Sequence, residues 1–166
     1  MSAYTTRFGS LKNFQKGEIE IISDNPKNFA FSNVYDVASK SAPYEKVVVA
    51  RNLQYTIEAI RAEGTSGWYA ADHDEFVIVM DGAVEVELVK LDNPAEVVLP
   101  GTNGAVMVRG EPAGKRMGRI LLGRGHQALL PKGAAYRFRA EQPGCMIQQG
   151  ILGALSVEKW ADICYR

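Results

Sequence analysis

The side chains able to do chemistry are few and widely spaced. The chain of 166 residues has two histidines, His73 and His126, and two cysteines, Cys145 and Cys164. His73 and Glu75 stand two positions apart, so on a regular strand both point to one face, along with Tyr69 and Ala71. An imidazole nitrogen and a carboxylate oxygen on a shared face suit a transition metal, but a tight site takes three or four well-supported ligands. The plainer reading is that His73 and Glu75 hydrogen-bond to each other or to Tyr136 inside a filled core. His126 follows Gly125 in a turn and is expected to face solvent. The cysteines are separated by eighteen residues, with both histidines far upstream, and cannot complete a zinc finger. Reduced thiols are expected, a Cys145–Cys164 disulfide being the lesser reading. Trp68, beside Gly67 at a loop–strand junction, reads as packing or, more sharply, as a pocket or interface anchor. Arg109, Lys115, Arg116 and Arg119 make a basic patch. It is no phosphate loop, since Gly114-Lys115 is followed by Arg116 and no strand precedes it.

Composition narrows the class. Nineteen basic residues balance nineteen acidic ones, which argues against a nucleic-acid partner. The N-terminus lacks the basic start and apolar run of a signal peptide, and no apolar stretch approaches a membrane span. A cytoplasmic protein with no membrane association is the expectation. The length suits one domain with a full hydrophobic core.

The elements that must position these side chains are mostly short strands. Leu53, Tyr55, Ile57 and Ala59 alternate with polar neighbours, which predicts a half-buried strand. Residues 75–80 are nearly continuously apolar, which suits a strand covered on both faces. Asp81-Gly82 then reads as a hairpin turn, with a return strand through Val84, Val86 and Leu88. Residues 91–117 read as a long loop. Short strands are expected over 119–122, 126–130, 136–140 and 145–150, separated by Gly and Pro. Ser156 is an acceptable N-cap for one or two helical turns in the tail. The pattern as a whole predicts an all-β antiparallel sandwich or barrel with little helix.

Two spacings sharpen the barrel. Glu75, six residues and Gly82 resemble the second half of the first cupin motif. Gly125, five residues and Pro131-x-Gly133 resemble the start of the second. The resemblance implies a cupin-type double-stranded β-helix, or jelly-roll barrel. Its metal ligands would be three histidines and a carboxylate, and the corresponding positions here are Tyr69, Ala71, Glu75 and Tyr136. Only Glu75 is a usual ligand. In a second register, Gly67 and His73-x-Glu75 resemble the opening of the first motif. That register misplaces the closing glycine, and it also leaves Tyr136 where a histidine belongs.

Longer stretches carry a narrower likeness. Residues 6–22, 29–49, 73–91, 111–120 and 125–138 resemble the small subunit of two-subunit hydroquinone 1,2-dioxygenases, over a match that runs to about residue 152. Residues 1–28, polar and aromatic with an apolar run at Ile19, Ile21 and Ile22 too short for a helix, read as an N-terminal arm lying either on its own domain or across to another subunit, followed by one cupin barrel over 29–152 and a tail over 153–166. The resemblance implies a larger cupin partner in an α2β2 heterotetramer, with Fe(II) in that partner and not in this chain. It implies oxidative opening of hydroquinone by O2 to 4-hydroxymuconic semialdehyde, in breakdown of 4-nitrophenol or 4-hydroxyacetophenone. No catalytic or metal-ligating residue is expected in this chain. Trp68, Tyr69, His73, Phe8 and Phe14 are candidates for a substrate-pocket wall or a subunit interface. The alternatives are a stand-alone metal-free cupin that binds a small molecule or regulates, and a catalytic cupin with an unorthodox His73/Glu75 site.

Overall fold

The structure is a computed structural model that describes residues 9–15, 23–24 and 33–163. Phe8 and Cys164 lie outside the described residues, as does most of the expected arm.

Among the described residues the chain runs α1 (Val34–Lys40), β1 (Lys46–Asn52), β2 (Tyr55–Thr65), β3 (Trp68–Ala71), β4 (Glu75–Asp81), β5 (Ala83–Leu91), α2 (Pro94–Val97), β6 (Ala105–Val108), β7 (Gly114–Gly123), β8 (Gln127–Leu130), β9 (Ala134–Ile151), β10 (Ser156–Val157) and α3 (Trp160–Ile163). The ten strands join in one sheet that curls round a core of Ile60, Val77, Val79, Val84, Val86, Leu130, Phe138 and Met146. The motif glycines sit where the backbone needs them: Gly82, Gly125 and Gly133 have φ of 82°, 81° and 81°, a region closed to most other residues.

The long strand β9 organises the sheet. It pairs antiparallel with β2, β3, β4 and β5. Pro143-Gly144 was expected to end a strand here. Instead the strand continues through it, and the partner strand β2 shifts register between Ala62 and Gly64 to absorb the extra residues. Gly144 is needed for the crossing, since a Cβ there would lie 2.7 Å from the Asp81 carbonyl oxygen.

Other expectations give way to packing. The alternation in β2 is real, but its faces are reversed. Thr56 and Glu58 are buried, while Tyr55 is 50% and Ile57 40% exposed. Ile60 and Ala62, in phase with Thr56 and Glu58, belong to the barrel core, so they fix which face turns inward. Likewise β4 is covered on one face only: Glu75, Val77 and Val79 point in, and Phe76 is 47% exposed. The expected loop over 91–117 contains α2 and β6, the latter pairing with β3.

A helix over Val34–Lys40, absent from the sequence reading, is capped by the Asn33 side chain on the Tyr35 amide. It covers the outer side of β1 and β2 together with Trp160 and Ile163 of the tail. Ser156 is no helix cap. It lies in β10, parallel to β1, and its hydroxyl donates to Glu58 Oε1 at 2.5 Å.

Candidate functional site: a polar centre inside the barrel

Inward-facing positions of β1, β2, β3, β4 and β9 bring a polar group into the apolar core. Tyr69 pairs across the ladder with Tyr136, and their ring centroids are 5.7 Å apart. The Tyr136 hydroxyl, fully buried, donates to Glu75 Oε2 at 2.5 Å and accepts from Gln148 Nε2 at 3.1 Å. Gly150 makes this possible, because a Cβ there would stand 2.6 Å from Glu75 Oε1. Of the four positions corresponding to cupin ligands, Tyr69, Glu75 and Tyr136 converge. Ala71 joins the same core cluster and offers no donor atom.

The charge at this centre comes from Lys46, the first residue of β1, which is 4% exposed. Its Nζ lies 5.2 Å from the Tyr69 ring centroid and 5.9 Å from that of Tyr136, within cation–π range. It is 3.9 Å from Glu58 Oε2. His73 stands at the edge, its Nε2 3.6 Å from Glu75 Oε1, too long for a hydrogen bond. Lys46 Nζ, Thr56 Oγ1, His73 Nε2 and Gln148 Oε1 are buried without a hydrogen-bond partner in the chain.

The two carboxyls feel this setting differently. Burial raises the Glu58 pKa, and the Lys46 ammonium and Ser156 hydroxyl do not fully offset it. Burial pushes Glu75 up as well, but the His73 imidazole, the Lys46 ammonium and the Tyr136 hydroxyl overcome it and hold Glu75 below its ordinary value. Burial, followed by the Glu75 carboxylate, keeps the Tyr136 phenol protonated far above its usual range.

This donor set does not fit a divalent metal. A phenol that keeps its proton is a poor ligand, and a fixed ammonium repels a second cation. Among the described residues, no three His, Cys, Asp or Glu side chains are grouped to hold a metal ion. Lys46, Glu58 and Gln148 were missed from the sequence. Only the inverted phase of β2 could have pointed to Glu58.

The other candidates lie apart. Trp68 faces away from Tyr69, into a separate cluster with Ala70, Val89, Leu91 and Val98. It is 6% exposed, donates from Nε1 to Glu111 Oε2 at 3.1 Å, and carries the Arg137 guanidinium 4.4 Å above its ring. Within this chain its contacts are those of packing. Phe14 stacks on Tyr35 of α1 with centroids 6.3 Å apart. His126 is exposed and accepts from the Gly123 amide at 3.0 Å, closing its own turn. Cys145 is a free, buried thiol whose pKa is pushed up to about 12 by burial. Arg119 of the basic patch pairs with Glu85 at 3.1 Å. No helix of the described residues is long and apolar enough to cross a membrane.

No family model and no curated protein matches the chain. Solved structures do. It is 55% identical to a chain of hydroquinone 1,2-dioxygenase from Sphingomonas sp. TTNP3 with 4-hydroxybenzoate bound, covering 98% of each chain at a TM-score of 0.91. It is 55% identical to a chain of hydroquinone 1,2-dioxygenase PnpCD in complex with Cd2+ and 4-hydroxybenzonitrile, covering 99% of this chain and 98% of that one at a TM-score of 0.89. Two further likenesses show the fold alone. A cupin-2 domain protein from Shewanella frigidimarina is 20% identical with a TM-score of 0.52, over 75% of this chain and 97% of that one. A longer chain of PnpCD, in complex with Fe3+, is 10% identical with a TM-score of 0.59; the match covers 85% of this chain and 39% of that one. With a cupin barrel and 55% identity over almost its whole length, the chain belongs to the family of hydroquinone 1,2-dioxygenases, ring-cleaving oxidoreductases.

Proposed function

We propose that this chain is the small, iron-free subunit of a two-subunit hydroquinone 1,2-dioxygenase. The observation that carries the reading is the barrel centre: tyrosines where ligands would stand, and the Lys46 ammonium beside Glu58 and over both rings. Two likenesses support it. The chain matches chains of its own length in such enzymes at 55% identity, and it shares only its fold with the longer PnpCD chain. The PnpCD complexes with Cd2+ and Fe3+ are consistent with a metal cofactor.

In this reading Fe(II) resides in a larger cupin partner, in an α2β2 assembly. There it supplies the chemistry by which O2 opens hydroquinone to 4-hydroxymuconic semialdehyde. A two-histidine, one-carboxylate iron leaves positions open for substrate and O2 and needs a shaped, water-excluding wall. This chain's contribution is structural. The barrel gives a body whose outer strand faces are free to meet the partner. Tyr69 supports that body from within the barrel, against Tyr136 and Lys46, and Trp68 supports it from a separate cluster, against Glu111 and Arg137.

Co-expression with the larger subunit tests the proposal. Hydroquinone-dependent O2 uptake is expected only for the pair, with iron copurifying with the partner. Iron-dependent turnover by this chain alone would overturn it and favour a site at His73 and Glu75.

A further inference from the structure

A second feature lies outside the barrel, at the end of the sheet where the Asp81-Gly82 hairpin turns. The short segment Ser10–Asn13, closed on itself by a backbone bridge, lies against this end. The Leu11 amide donates to Asp81 Oδ2 at 2.9 Å, and Arg124 Nη2 donates to Asp81 Oδ1 at 2.5 Å. Between the segment, α1, β2 and the hairpin is a cleft of about 440 Å³, within the range of small-molecule sites.

Its lining is biased toward positive charge. Lys12, Arg61 and Arg124 face one acid, Asp81. Both oxygens of that acid are occupied and its charge offsets Arg124, as Glu63 offsets Arg61, so the net positive charge at the cleft is that of Lys12. Burial pushes the Asp81 carboxyl up, but Arg124 and the Leu11 amide overcome this and hold it ionised below its ordinary range. The two guanidiniums are preset. Arg61 donates from Nε to Glu63 Oε2 at 2.6 Å and from Nη1 to the Ser39 carbonyl at 3.2 Å. A guanidinium has five N–H donors, so each arginine keeps several to offer. The exposed Gln142 amide adds a neutral donor at the rim. Fixed, forked donors match a planar carboxylate, and side chains already held by partners lose little freedom on binding.

We propose that this cleft binds a small organic carboxylate, gripped by Arg61 and Arg124 with Lys12 at the rim. The proposal does not depend on the assignment of this chain as a subunit of a dioxygenase.

Amide spectra of the full chain, titrated with benzoate and with neutral benzamide, test it. Benzoate should shift Ser10–Lys12, Gly82 and Gln142 saturably, and benzamide should not. Arg61→Gln should weaken benzoate at least tenfold. Gln142→Glu, at an exposed position that leaves the fold intact, should do the same by placing a negative charge at the mouth. Lys132→Gln, which alters a basic residue outside this cleft, should leave the affinity unchanged. Unsaturable or scattered shifts, equal binding of benzamide, or full affinity in Gln142→Glu would each overturn the proposal. Equal affinity for inorganic phosphate would overturn the carboxylate assignment in favour of an unselective anion site.

Discussion

The inner and outer faces of the barrel strands have partly exchanged their usual polarity. On the inside, Glu58, Glu75, Lys46 and Gln148 are all under 5% exposed. On the outside, cross-strand pairing lines up Ile57 of β2, Gln149 of β9, Phe76 of β4 and Leu129 of β8 in one row across four strands. Ile57, Phe76 and Leu129 are each 40–47% exposed. Burial of charge is costly unless the charges are paired and hydrogen-bonded; the interior sets an ammonium, two carboxylates and a phenol within reach of one another, yet leaves Lys46 Nζ, Thr56 Oγ1, His73 Nε2 and Gln148 Oε1 without a hydrogen-bond partner in the chain. Exposed apolar patches mark surfaces that meet something else, and Ile57, Phe76 and Leu129 give this face that character on either side of Gln149. The two faces therefore carry different duties. The inside is a structural centre whose polar groups satisfy one another only in part, and the outside is where this chain has surface to offer.

Variants can break this contrast, and the largest effect belongs inside. Lys46→Met leaves Glu58 and Glu75 without their cation and should cost about 3–5 kcal/mol, as for other broken buried pairs. Urea denaturation would read the loss. Adding Glu58→Gln should restore part of it, because the carboxylate nearest the lost ammonium is then neutral while Glu75 alone stays charged. A Lys46→Met chain as stable as the parent would end the view of this ammonium as the cation of the core.

Tyr136→Phe deletes the donor to the Glu75 carboxylate and the acceptor for Gln148, for about 1.5–3 kcal/mol by the same measurement. Gly150→Ala drives a methyl into the Glu75 carboxylate, 2.6 Å away, and should cost about 1–3 kcal/mol through overpacking. On the outer face, Phe76→Ser should cost only about 1 kcal/mol or less, because half of the ring is already in water. If that variant lost as much as Tyr136→Phe, the two faces would not differ as described.

A pH effect belongs to the outer end of the barrel. The Asp81 carboxyl titrates below its ordinary 3.8 in the fold. Its hold on the Leu11 amide is therefore complete above that value and is lost as pH falls through the lower folded value. The protection factor of the Leu11 amide should fall as pH drops below 3.8, while the protection of the β9 amides is kept.

Much of the fold was legible in the sequence. Gly82, Gly125, Gly133 and the Asp81-Gly82 turn are backbone requirements, and such requirements are written locally. The convergence of Tyr69, Glu75 and Tyr136 was readable through the motif spacing. What the sequence hid is nonlocal. The phase of β2 depends on Ile60 and Ala62 fitting a core built from distant strands, so an alternating pattern gave the strand but not its inward face. Lys46 looks like any charged residue at a strand start. Its burial follows from two tyrosine rings, one of them ninety positions away. Pro143-Gly144 carries the composition of a break, yet β2 shifts its register to keep the strand whole.

The central strand β9 has a consequence for how the molecule comes into being. Strands β2, β3, β4 and β5 all take β9 as a partner, and β2 pairs Tyr55 with Ile151. During synthesis those four strands emerge first and wait with open edges until the last quarter of the chain has followed. Contacts this distant in sequence make for slow folding, and unpaired edges are sites of aggregation. The chain is therefore expected to lean on chaperones while it grows, and to fail when truncated before residue 151, however intact its earlier strands.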